Sequence, residues 1–191
     1  MAVEYTNRKG KKYYLHAGKT KKGKRRYYFS PKTEGGLVEE IPEGYEISES
    51  PNGIVSLRKI VEKAVKEDES NAIKRELERH EHTKTCRVEV KGKTITVFEP
   101  DKKEEDINRI MSFGIFTPRA DLAEYIKKSQ RYTPVLRFTV QDEKRRLFVA
   151  QRYCFLGSRE GWIPLSRRDK IGTLAKKYVK HVGKESFYEL Y

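Results

Sequence analysis

The sequence predicts an α+β protein built mainly from antiparallel β-hairpins, with helices packed on one face and a β-meander at its N-terminus. Three observations carry this. Apolar and aromatic residues alternate with polar ones in runs of strand length. Those runs are separated by Gly, Asn and Pro clusters that suit tight turns. Between them lie a few stretches whose apolar residues fall three and four apart, the spacing of a helix face.

The meander occupies residues 2–30. Strands are expected at 3–6, 12–16 and 25–30, where Tyr, Phe and Val favour a pleated surface. Asn7-Arg8-Lys9-Gly10 forms the first turn, a longer loop spans 18–23, and Pro31 ends the third strand. So small a core leans on something else for stability. Ile41-Pro42-Glu43-Gly44 reads as a turn, and Pro51-Asn52-Gly53 joins strands at 45–49 and 54–57. Leu57, Ile60, Val61, Ala64 and Val65 then have helical spacing. Residues 68–71 read as a break, and Ile73 and Leu77 continue the helix to about His80.

Beyond His80 the period returns to two. Cys86, Val88 and Val90 pair with Ile95 and Val97 across Lys91-Gly92. Ile107, Ile110 and Met111 share a helical face, and Thr117-Pro118 opens a helix carrying Leu122, Ala123, Tyr125 and Ile126. A further hairpin joins 135–140 to 147–155 around Asp142-Glu143-Lys144. After a loop at 157–161, Trp162-Ile163-Pro164-Leu165 packs back, with Trp162 sealing a core edge. Ser166 and Asp169 are spaced as a capping box for a last helix over 167–181 that buries Ile171, Leu174 and Tyr178. The expected organisation is a basic β-rich unit at 1–60, a helical bridge at 61–83 and an α+β unit at 84–191.

The phrases Tyr27-Tyr28-Phe29-Ser30, Ile41-Pro42-Glu43-Gly44-Tyr45-Glu46-Ile47 and Cys154-Phe155-Leu156-Gly157-Ser158 are similar to stretches in prokaryotic proteins of unassigned function, as is Gly161-Trp162-Ile163-Pro164-Leu165. The resemblance implies a bacterial or archaeal origin and one recurrent architecture. It carries no activity and no catalytic residue.

Charge is the strongest functional signal. Of the 191 residues, 42 are Lys or Arg and 28 are Asp or Glu, a net charge of +14. Residues 1–33 hold eleven Lys or Arg against Glu4 alone, interleaved with Tyr5, Tyr13, Tyr14, Tyr27, Tyr28 and Phe29. Basic side chains attract phosphate, and aromatic faces either stack on bases or pack a core. Alternation sets Tyr27 and Phe29 on one face and Arg26 and Tyr28 on the other. The expected partner is nucleic acid, DNA or RNA. Phosphate contacts are expected from Lys19, Lys21, Lys22, Lys24, Arg25 and Arg26, with Arg145 and Arg146 at a second hairpin tip. Further basic groups are Arg152, Arg159, Arg167-Arg168, placed at a helix start where an anion would bind, and Lys176-Lys177. Residues 34–69 reverse the sign, with ten acidic and four basic residues. That reversal supports a rival reading: a protein-interaction module or homo-oligomer held by complementary charge.

No catalytic residue, cofactor or metal is expected. His80, His82 and Cys86 offer zinc ligands, but a structural site needs four and no recognised spacing supplies the rest. Glu89-x-Lys91 resembles the acidic-x-Lys element of metal-dependent nucleases and gives a third reading, a metal-dependent nuclease, although no catalytic acid heads the preceding hairpin. Nucleophile elbows and Walker loops are missing from the sequence. Two cysteines, no secretory h-region and no apolar run of membrane-spanning length point to a reducing, cytoplasmic setting and no membrane partner.

Overall fold

The computed structural model describes residues 2–62, 64–101, 124, 128–155 and 160–190. They form ten strands in three antiparallel sheets and two α-helices, an α+β fold with an N-terminal meander. The chain divides into two compact units. One is Met1–Val61 with Lys102–Gln130, and the other is Glu62–Asp101 with Arg131–Tyr191. The helical segments expected at 101–111 and from Thr117 through Ile126 lie outside the described residues, apart from Asp101 and Glu124.

In the first unit, β1 (Glu4–Thr6), β2 (Lys12–Lys19) and β3 (Arg25–Ser30) form the meander. Residues 36–38 extend its β1 side: Val38 N–H donates to Leu15 O and Ala17 N–H to Gly36 O. Gly36 is required there, because a Cβ at this position would lie 2.6 Å from the Ala17 carbonyl oxygen. β4 (Tyr45–Glu49) and β5 (Val55–Lys59) make a separate hairpin in register Ile47↔Leu57. The buried hydrophobic side chains of this unit are Leu15 and Val55, among the described residues. Such a core is small, and polar groups reinforce it. Buried Asn7 donates from Nδ2 to Gly53 O at 2.7 Å and accepts the Lys9 and Lys11 N–H groups on Oδ1. Glu49 accepts from Tyr5 Oη at 2.9 Å and Arg8 Nε at 2.7 Å. The meander therefore leans on the β4–β5 hairpin through hydrogen bonds.

In the second unit, β6 (Arg87–Lys91), β7 (Thr94–Pro100), β8 (Tyr132–Asp142), β9 (Leu147–Cys154) and β10 (Gly161–Pro164) form one sheet, ordered β10-β9-β8-β7-β6. Two helices pack on one face, α1 (Glu67–Arg79) and α2 (Ile171–Tyr178). Ile73, Leu77, Leu174, Ala175 and Tyr178 join Ile95, Val97, Leu136, Phe138, Phe148 and Ala150 in a single core. Strand periodicity leaves the alternate residues on the opposite face.

Three elements differ from the sequence expectation. No described residue from Leu57 to Val65 is helical: Leu57 belongs to β5, and Ile60 and Val61 are exposed. The helix begins instead where a break was expected. Glu67, Asp68 and Glu69 occupy its first turn, where the helix dipole favours negative charge, and Glu69 accepts the Lys66 N–H at 2.8 Å. The last helix starts at Ile171, later than expected. Ser166 Oγ is taken by the Ala150 N–H, and Asp169 exchanges backbone hydrogen bonds with Phe148, so residues 165–169 run beside β9. Finally, Trp162 lies opposite Tyr153 across β9–β10, on the face away from the helices.

Candidate nucleic-acid interface

The β2–β3 hairpin gathers the six N-terminal candidates at one turn. β2 and β3 close in register Lys19↔Arg25, and the tip is locked by Thr20, which exchanges backbone hydrogen bonds with Lys24 and Gly23 and accepts the Lys24 N–H on Oγ1 at 3.1 Å. Gly23 has φ +77°, a conformation an L side chain resists. Lys19, Lys21, Lys22, Lys24, Arg25 and Arg26 are all exposed, and none pairs with a carboxylate among the described residues. Arg25 lies 5.2 Å from the Tyr27 ring centroid and Arg26 5.0 Å from that of Tyr28. Residues two apart on a strand share a face, so each guanidinium stands on the next tyrosine of its own face. Tyr28 stacks in turn on buried His16, with centroids 5.4 Å apart and planes at 14°; the His16 ring donates from Nε2 to Lys32 O. Tyr27 meets Tyr45 edge-on at 6.1 Å. The strand aromatics thus pack on their neighbours and support the arginines.

Two carboxylates of the acidic stretch pair away from the hairpin tip, one of them with Arg8 of the basic segment. Glu46 pairs with Arg58 at 2.8 Å and Glu49 with Arg8 at 2.7 Å. Burial works against the Glu49 charge, but hydrogen bonds from Arg8 and Tyr5 outweigh it and hold the carboxyl below its ordinary pKa.

The second tip separates its two arginines. Arg145 is exposed; its N–H donates to Asp142 Oδ1 at 2.8 Å, and its side chain has no carboxylate partner among the described residues. Arg146 is committed within the unit. Its guanidinium makes a two-point contact with Glu69, and the same nitrogen that meets Glu69 Oε2 donates to Ala64 O at 2.8 Å. It also holds φ +52°, the one described non-glycine residue in the left-handed region.

The remaining basic groups scatter. Arg152 is 8% exposed on the core-facing side of β9, and its Nε has no hydrogen-bond partner among the described residues. Arg159 lies outside the described residues. Arg167 and Arg168 are exposed but precede α2 by several residues, so they do not form a helix start. Lys176 does join a basic grouping the sequence did not single out. Together with Ala72, Arg75, Glu76, Arg79 and Gly172 it lines a cleft of about 340 Å³ between α1 and α2. Glu76, the acidic member, pairs with Arg79 at 2.7 Å. The i, i+4 spacing of Arg75 and Arg79 was its only signal in the sequence.

No protein-family model, curated protein or solved structure matches the chain.

The other sequence candidates are dispersed. His80 and His82 rings lie 5.8 Å apart, and His82 Nε2 donates to Lys180 O. Cys86 is half-buried against the core, its thiol pushed up to about 12 by burial and by Glu99. No group of three or more His, Cys, Asp or Glu among the described residues is placed to hold a metal. Glu89 and Lys91 lie on the outer face of β6, where Glu89 stands opposite Thr96. Cys154 is buried. No helix among the described residues is long and apolar enough to cross a membrane.

Proposed function

We propose that this protein is a non-catalytic, cytoplasmic nucleic-acid-binding protein whose β2–β3 hairpin tip contacts the phosphate backbone. One observation carries the reading: six exposed cations at a single turn, two of them arginines standing on tyrosines, with no carboxylate partner among the described residues. Cation–π contact restrains a guanidinium while leaving its edge donors available to phosphate oxygens. Arg145 supplies a second contact from the β8–β9 tip; Arg146, tied to Glu69, serves the fold. The charge-complementary interaction module is less well supported, because Glu46 and Glu49 already have basic partners within the chain.

Gel shifts across a salt series test the proposal. Each phosphate neutralised releases a counterion, so about six contacts give a slope of roughly −5 in log K against log salt on duplex DNA. Replacing Lys21, Lys22, Lys24, Arg25 and Arg26 with Glu should abolish binding. Absence of binding by the wild type at low salt would sink the reading.

A further inference from the structure

The β2–β3 hairpin outruns the strands beside it. The last backbone bond to β2 from outside the hairpin is the Ala17 N–H to Gly36 O, at 2.7 Å. Beyond it, the described residues give β2 no strand partner but β3. Residues 19–26 are exposed without a break. The free end is therefore a ribbon two strands wide. From Ala17 to Lys21 it reaches about 13 Å, at roughly 3.3 Å per residue.

The charge of this ribbon lies on both of its faces. Residues opposed across an antiparallel pair share a face. Lys19, Arg25 and Tyr27 therefore lie on one side, and His16, Arg26 and Tyr28 on the other. Lys21, Lys22 and Lys24 lie at the turn between them. Gly18 stands opposite Arg26, and a Cβ there would come within 3.3 Å of Tyr28 Cε1, so the missing side chain leaves room for the ring under that arginine. Carboxylates do not offset these cations: the sequence has no Asp or Glu between Glu4 and Glu34. The rings themselves are already partnered within the chain. Tyr28 stacks on His16 and carries Arg26, while Tyr27 meets Tyr45 and carries Arg25.

We propose that the ribbon enters the major groove of duplex DNA, with each face meeting the phosphates of one groove wall. The inference rests on the nucleic-acid reading and adds the form of nucleic acid and the mode of docking. A hairpin charged on one face suits a flat surface. Cations on two opposite faces and at the tip suit a channel with phosphate on both sides. The major groove of B-form DNA, about 12 Å wide and about 8.5 Å deep, admits a two-stranded ribbon of this reach. A-form RNA has a deep, narrow major groove and a wide, shallow minor groove, and the latter would meet only one face. A single strand gains most from free aromatic rings, and here the strand tyrosines are taken.

The full chain is titrated at low salt against a labelled 20-base-pair DNA duplex, the RNA duplex of the same sequence and dT20, with anisotropy as the readout. The DNA duplex should bind more tightly than the other two. Arg25→Gln and Arg26→Gln then neutralise opposite faces. Both side chains are exposed, and unchanged circular dichroism checks that the fold is kept. Each variant should flatten the slope of log K against log salt by about 0.9 on the DNA duplex, one phosphate contact apiece. Dimethyl sulfate footprinting should show guanine N7, in the major groove, protected, while adenine N3, in the minor groove, stays reactive. An RNA duplex or dT20 bound as tightly as the DNA duplex overturns groove insertion and leaves the hairpin reading intact. A slope change in only one of the two variants also overturns it, as does protection of adenine N3 in place of guanine N7. Should the wild type bind none of the three, the hairpin reading fails and this inference with it.

Discussion

Arg146 shows how one side chain can be misread for function when its work is structural. At a hairpin tip it looks free, yet its guanidinium grips Glu69, whose side chain is 6% exposed. Burial works against the Glu69 charge; hydrogen bonds from Arg146 and the Lys66 N–H outweigh it, so the carboxyl ionises below its usual range. A depressed carboxyl contributes stability above its unfolded pKa, about 4.3, and loses it as pH falls through the folded value. Arg146→Ala should therefore cost about 2 kcal/mol in denaturant melts at pH 7, since it strands a buried charge, and the difference from wild type should shrink below about pH 4. Arg146→Gly loses the same ion pair but relieves the left-handed backbone, so it should be about 1 kcal/mol more stable than the alanine variant. Equal stabilities for the two would show that the φ of +52° stores no strain. Nothing in the sequence marks this pair, because Arg and Glu seventy-seven residues apart are ordinary in a chain with 37% charged residues.

The hairpins were the legible elements. Pro51-Asn52-Gly53 and Lys91-Gly92 announce their turns, and Val88, Val90, Ile95 and Val97 keep a clean period of two. The helices were harder. Leu57 to Val65 mimics a helical stripe because a strand end and a connector happen to place apolar residues three and four apart. The real α1 hides behind eight charged residues from Glu67 to Arg79, with only a narrow apolar stripe at Ile73 and Leu77. The hairpin site was legible as a charge run, but its support was not. That Tyr28 stands on His16 and Arg26 on Tyr28 follows from register, which sequence alone leaves open. One element-scale test concerns the strand edge beyond β1. Gly36→Ala would drive a Cβ to within 2.6 Å of the Ala17 carbonyl oxygen. It should destabilise the fold by about 2 kcal/mol or more, and amide exchange should quicken at Ala17 and Val38. An unchanged melting midpoint would mean that residues 36–38 are not held against β2.

Across the whole molecule, charge and burial are unevenly shared. The charges are not evenly shared: Glu49, Glu46 and Glu69 are tied to Arg8, Arg58 and Arg146, whereas the six cations of the β2–β3 tip have no carboxylate partner among the described residues. The six tip cations are left to act outward. Burial follows the opposite plan. The second unit holds the large core, with Ile95, Val97, Leu136, Phe138, Phe148 and Ala150 all at 0% exposure. The first unit relies on Leu15, Val55 and the Asn7 and Glu49 hydrogen bonds. Native-state hydrogen exchange should accordingly show its slowest amides in β7, β8 and β9 and markedly faster ones in β4 and β5. Uniform protection across both units would contradict this ordering.

The placement of the two thiols has a practical corollary. Cys154 is buried, and the Cys86 thiol stays protonated through neutral pH because burial and Glu99 push it to about 12. Both thiols should therefore react slowly with a maleimide near neutral pH, which labelling of the wild type checks. Lys22→Cys would then give the chain a single reactive sulfur at the apex of the β2–β3 turn. A dye attached there, with Trp162 as its natural donor, turns the protein into a ruler between its two units.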